Sequence, residues 1–135
     1  QYKSIMQELM SLKNFDIEIA KNNLWMTEKE LVEVDNEGHL IGLHSFSHPT
    51  RMSKLTKAQQ IDEYNKNYIH LATLIGKPIT SMSHPCGNYN EDTLNILRKM
   101  GIKIGFRSSI STAEIKSDLE IPREDHANIL KAMSL

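Results

Sequence analysis

A single cysteine, Cys86, rules out an internal disulfide framework. No apolar run approaches the roughly 20 residues that a membrane-spanning helix needs, and no signal peptide is visible. An excess of one charge is missing as well: 16 basic and 17 acidic residues leave a formal net charge of −1. With Lys and Arg spread along the chain, there is no electrostatic footprint for nucleic acid. No internal repeat or low-complexity segment is present. What remains is a chain of 135 residues, 39% hydrophobic and 24% charged, an ordinary globular composition with enough length for one domain's core. It opens at Gln1, without a methionine and inside a helical pattern. The expectation is therefore that residues 1–135 form a single domain that is the C-terminal portion of a longer one, and the compartment is left unread.

Helical spacing of Ile5, Met6, Leu9, Met10 and Leu12 predicts a helix over Tyr2 to Lys13. Thr27 with Glu30, and Thr56 with Gln59, make two capping boxes. The first opens a short helix that stops near Gly38. The second opens a long one with an apolar stripe of Ile61, Tyr64, Tyr68, Leu71, Leu74 and Ile75, ended by Gly76 and Pro78. Asn90 caps a third, lined by Leu94, Leu97 and Met100 and stopped by Gly101. Between them lie strand-like runs: Leu40 to Leu43, Ile79 to Ser83 and Ile102 to Phe106, with a fourth at Leu119 to Pro122. Ser108 to Ser117 reads as a loop, and a weak helix starts at Ala127. Strands alternating with helices predict an α/β fold, with short parallel strands joined by crossover helices. Sites in such folds gather beyond the carboxyl ends of the strands, where His44, His84 and either Arg107 or Ser108 fall.

The first of these residues belongs to the most informative stretch, Gly38-His39-Leu40-Ile41-Gly42-Leu43-His44-Ser45-Phe46-Ser47-His48-Pro49. Two ligands of one zinc ion each sit about 2.0–2.1 Å from it, so their nitrogens must be close. On an extended strand His44 and His48 would be roughly 13 Å apart. They share an ion only if the chain curls after the strand, and a single helical turn stopped by Pro49 is the expected form. The alternative is a pair of loop histidines bonded to backbone. His39 reads as a surface residue and His70 as a structural one. Cys86 reads as a small, inert packing residue, with a reactive thiol or soft metal ligand as the other choice.

The His-Ser-Phe-Ser-His core, preceded by Gly-His-Leu-Ile-Gly-Leu, closely resembles the second motif of the polysaccharide deacetylases. The resemblance continues in order through Met26 to Leu31, Leu55-Thr56, Leu74 to Pro78, Ser83 to Asn90 and Met100 to Arg107. It implies a partial (β/α) barrel and a metal-dependent hydrolase that removes acetyl groups from an N- or O-acetylated carbohydrate. It implies zinc or another divalent metal held by His44 and His48. A substrate and oxyanion region is implied at His84, Pro85 and Cys86, with the backbone N–H of Cys86 holding the oxyanion. His84 also reads as a metal ligand or a hydrogen-bonded loop histidine. Arg123 resembles a family arginine that supports the active-site aspartate, with a solvated charged turn as the alternative. His126 is a weak candidate for the family's late histidine, because the usual Leu-x-x-His is not reproduced.

One departure stands out. The family's first motif, of the Thr-Phe-Asp-Asp-Gly type, supplies the catalytic base and the third metal ligand, and it is absent here. Asp16 and Asp35 are the only aspartates before His44, and neither matches it. The chain thus carries two of three usual ligands and no recognisable base. The competing expectation is a non-catalytic carbohydrate-binding or scaffold domain of the same fold. An unpaired sheet edge would also invite a homo-oligomer.

Overall fold

In the computed structural model, which describes residues 2–112 and 114–133, helices begin where a side chain satisfies the first free N–H groups. Tyr2–Leu12 forms α1 and Ile17–Leu24 forms α2. The second was not anticipated from the sequence: it opens on Asp16, whose carboxylate accepts from the N–H of Glu18 and Ile19. Thr27 and Glu30 close a full capping box on Glu28–Asn36, α3. Thr56 and Gln59 do the same for Lys57–Ile75, α4, which stops at Gly76 in the left-handed region, φ +69°. Asn90 and Thr93 open Glu91–Lys99, α5. Ser81–Ser83 forms β1 and Ile104–Phe106 forms β2, and His126–Met133 closes the chain as α6. The loop expected at Ser108 to Ser117 is irregular, apart from residue 113, which lies outside the described residues.

β1 and β2 are parallel, with Met82 opposite Gly105. Leu43 bridges Met82 on one side of the pair, and Ile121 bridges Phe106 on the other, both parallel. Four segments thus run side by side in sequence order, with α4 and α5 as crossovers. The expected strand at Leu40 to Leu43 shrinks to Leu43 alone. Its N–H and carbonyl bond Ser81 and Ser83, both at 2.9 Å, and Leu40 is largely exposed. The expected fourth strand reduces to Ile121 in the same way. Pro122, which follows it, has no N–H to extend a ladder.

Burial explains the helical stripe. Tyr64 and Leu71 of α4 and Leu94, Ile96 and Leu97 of α5 pack with Leu43, Met52, Ile79, Met82, Ile102 and Leu119 in one core. Each large apolar side chain buried there contributes about 1.5–3 kcal/mol. Ile61 falls at the stripe's edge and stays exposed. Between α4 and α5, buried Gln60 accepts from the Thr93 hydroxyl at 2.6 Å, a polar link inside an otherwise apolar contact. The chain leaves the sheet at one end through His44, His84 and Arg107, with Arg123 close behind Ile121.

Candidate functional site

Leu43 is buried and fixed on β1, so His44 emerges at a defined point beside the end of that strand. Its backbone N–H donates to Asn67 Oδ1 at 2.9 Å, and its ring Nδ1 lies 2.8 Å from the carbonyl oxygen of Ser83. A carbonyl only accepts, so Nδ1 carries the hydrogen and Nε2 of the neutral ring keeps its lone pair. The chain then reverses, although not through the expected helical turn. Ser45 and His48 take left-handed backbone, φ +65° and +54°, and Phe46 and Ser47 form a bend between them. The result is the juxtaposition the spacing required: the His44 and His48 rings lie 5.0 Å apart, centre to centre, inclined at 48°. Both residues are exposed.

The reversal is held from α4. The Glu63 carboxylate accepts from the N–H of Phe46 at 3.1 Å, the N–H of Ser47 at 2.8 Å and the Ser47 hydroxyl at 2.6 Å. Neither Glu63 nor Asn67 was identified from the sequence. Their only local signal is a polar pair at i and i+4, off the apolar stripe of α4.

Of the readings open for His84, a contact to substrate or metal or a hydrogen-bonded loop histidine, the structure places it as the second. It is completely buried, with Nε2 on the Leu119 carbonyl at 2.8 Å and its ring stacked on Tyr89 at 4.2 Å. Burial holds its pKa below the ordinary histidine value; the Leu119 bond and the Glu120 carboxylate oppose that shift, and nearby His44 adds to it. Buried Glu120 accepts from the Tyr89 hydroxyl at 3.0 Å and the Ser117 hydroxyl at 2.8 Å. Burial, with Glu120 assisting, raises the Tyr89 pKa. Pro85 is buried too, so its side chain is also withdrawn from any substrate. These two residues form the floor of the site.

Cys86 corrects another expectation. It is exposed rather than packed, and it takes left-handed backbone, φ +51° and ψ 18°, in the turn Pro85–Gly87 directly after His84. Arg123 is exposed and donates from Nε to the Arg107 carbonyl at 3.1 Å. Arg107 Nη2 in turn donates to the carbonyls of Thr112 and Glu114, holding the loop after β2. His126 starts α6 with its side chain 88% exposed and its Nδ1 3.4 Å from Asp125 Oδ1. His39 is on the surface, and His70 lies 4.0 Å from Glu28, linking α4 to α3.

The donor chemistry of the His44 and His48 pair fits a divalent ion such as zinc: two imidazoles, one already fixed in the ligating tautomer. Among the described residues, no cluster of three His, Cys, Asp or Glu side chains could complete such a site. Both upstream aspartates have structural roles, Asp16 as the cap of α2 and buried Asp35 in an ion pair with Lys77 at 2.7 Å.

Comparison with known proteins agrees with this geometry. A family profile described as Polysaccharide deacetylase matches residues 13–105, more than half of the chain. The chain belongs to the polysaccharide deacetylase family. The probable 4-deoxy-4-formamido-L-arabinose-phosphoundecaprenol deformylase ArnD of Shewanella sediminis is 31% identical over 111 residues, covering 75% of this chain and 36% of that protein. The poly-beta-1,6-N-acetyl-D-glucosamine N-deacetylase of Staphylococcus aureus is 29% identical over 107 residues, covering 73% of this chain and 37% of that protein. Among solved structures, the Streptococcus pyogenes deacetylase PplD in complex with acetate superposes with a TM-score of 0.65 at 22% identity, over 80% of this chain and 50% of that one. This polysaccharide deacetylase chain therefore spans little more than a third of the length of either of these two curated relatives. Its α/β fold is a partial deacetylase (β/α) arrangement, with the paired histidines at the carboxyl end of the strands.

No helix among the described residues is long and apolar enough to cross a membrane.

Proposed function

We propose that the chain carries the metal-holding histidines of a deacetylase, a hydrolase that removes acetyl groups from an N- or O-acetylated carbohydrate. The observation behind this reading is the His44 and His48 pair, brought to 5.0 Å with His44 Nδ1 occupied on Ser83. A metal needs a neutral imidazole with a defined lone-pair nitrogen, and the Ser83 carbonyl supplies that definition before any ion arrives. Zinc or another divalent ion held there would polarise the acyl oxygen and acidify a water.

The chain's own residues have separate tasks in this reading. His44 and His48 hold the ion. The backbone N–H of Cys86 offers a donor for the charge that develops on the acyl oxygen, a role that does not depend on its side chain. Exposed Arg123, fixed through Nε on Arg107, would offer its remaining guanidinium hydrogens to the active-site aspartate that the family resemblance implies. His84 and Pro85 support this region from below.

The second reading is a carbohydrate-binding or scaffold domain without catalysis. It is favoured by one observation, that no third donor joins the pair among the described residues. The deciding experiment measures metal content of the purified chain beside a His44→Ala/His48→Ala double variant. It also measures acetate release from N-acetylated glucosamine oligomers. Near-stoichiometric zinc that disappears in the double variant supports the ligand assignment, and zinc retained there overturns it. Oligomer binding without acetate release favours the second reading.

A further inference from the structure

The two histidines sit on a segment that is itself neither helix nor strand. Between them the backbone is left-handed at Ser45 and again at His48, a conformation that non-glycine residues keep only when their surroundings enforce it. Here the enforcement comes from one face of α4. Asn67 takes the N–H of His44. One turn earlier, half-buried Glu63 takes three hydrogens from Phe46 and Ser47 at 2.6–3.1 Å. Hydrogen bonds to a carboxylate are roughly twice as strong as neutral ones, and these three fall on two of the three residues that separate the histidines.

We infer that Glu63 is a positioning residue for the histidine pair: its carboxylate clamps the reversal that brings the His48 ring beside His44, and Asn67 fixes the His44 end. This rests on the reading of His44 and His48 as metal ligands. Glu63 touches no ring itself. It acts by setting the separation of two donors that a flexible five-residue loop would leave apart. The Ser47 hydroxyl is the partner that makes the clamp tolerant of an amide. In Glu63→Gln the side-chain oxygen still accepts the two backbone N–H groups, and the NH2 donates to that hydroxyl. In Glu63→Asp the group is one methylene shorter and withdraws from the turn.

The test compares the wild-type chain with Glu63→Ala, Glu63→Asp and Glu63→Gln. Zinc affinity is measured by titration, cobalt spectra report ligand geometry, and NMR of the metal-free protein reports the Phe46 and Ser47 amides and the His44 tautomer. The expected result is a 10–100-fold weaker zinc affinity in the Ala and Asp variants, the scale of outer-shell changes. Gln should restore affinity to within about threefold, because the outer-shell bonds that set this scale survive in it. The Phe46 and Ser47 amide signals should move in Ala and Asp without metal present. Wild-type zinc affinity in Glu63→Ala and Glu63→Asp overturns the positioning role and leaves the ligand assignment standing. If the wild-type chain takes no zinc, the ligand assignment fails instead. The metal-free spectra then still decide, and unmoved Phe46 and Ser47 amides overturn the clamp.

Discussion

The ring of His44 ties two strand ends together, with Nδ1 2.8 Å from the carbonyl of Ser83, the last residue of β1. The same bond that sets the tautomer of the proposed ligand also links the end of the Leu43 bridge to its neighbour. His44→Ala should therefore cost stability even without metal, about 0.5–1.5 kcal/mol, the usual net value of such a bond. Urea unfolding of the metal-free chain measures it. An unchanged midpoint would mean that the Ser83 contact contributes nothing and the ring is free.

His48 makes the opposite prediction. At φ +54° it occupies a region that glycine enters freely and other residues enter at a cost. In His48→Gly the metal-free protein should be more stable by about 1 kcal/mol, less the entropy that glycine returns to the unfolded chain. Zinc affinity should fall in the same variant. Thermal melts and zinc titration together read out this trade of stability for a donor. A destabilised, metal-binding His48→Gly would contradict both halves of the argument.

His84 gives the molecule a pH dependence with a definite sign. Its Nε2–H donates to Leu119 and its Nδ1 is buried without a hydrogen-bond partner among the described residues. A second ring proton would thus have no acceptor. Burial accordingly holds its pKa below 6.5. The unfolded chain takes up the proton first, so this contribution is fully present above about pH 6.5. It declines as pH falls from there toward the depressed native value, by at most about 1.4 kcal/mol per pH unit. His84→Gln, which keeps a donor for Leu119, should flatten the fall in unfolding free energy between neutral and acid pH. A curve that still parallels wild type would place the titration elsewhere.

How much of this was legible depends on whether a signal is local. The caps at Thr27, Thr56 and Asn90 act within three residues, and α3, α4 and α5 begin where those residues predict. Asp16 is also a cap, but Ile19, not Glu or Gln, stands three residues on, and α2 buries none of its residues. It therefore lacked both a full capping box and a core-facing stripe to mark it. Strand lengths were overestimated because the apolar runs also serve burial: Ile79 and Ile102 are core residues outside the ladder. The histidine pair was legible because spacing constrains it. Glu63 and Asn67 were not, since they reach the pair from 16 and 23 residues away. The burial of His84 depends on Leu119, 35 residues on, and nothing near His84 announces it.

Leu119 also makes Gly105 irreplaceable. Gly105 lies at the centre of β2, and its carbonyl accepts from Ile121 N–H. A Cβ added there would sit 2.8 Å from the Leu119 carbonyl oxygen and 3.0 Å from its Cα. Those atoms are backbone, so no side-chain rotation relieves the overlap, and the 118–121 segment must move. That same carbonyl oxygen holds His84 Nε2, so the displacement is transmitted to the floor of the site. Gly105→Ala should destabilise the chain by about 1–3 kcal/mol, the range for forced overpacking, and should shift the His84 ring signals in NMR. Leu119→Ala, which empties core volume without moving toward Gly105, should cost about 2–5 kcal/mol. Because the clash is with backbone, Leu119→Ala should not rescue Gly105→Ala in the double variant. Rescue would show that the Leu119 side chain, and not its main chain, sets the separation between β2 and its neighbour.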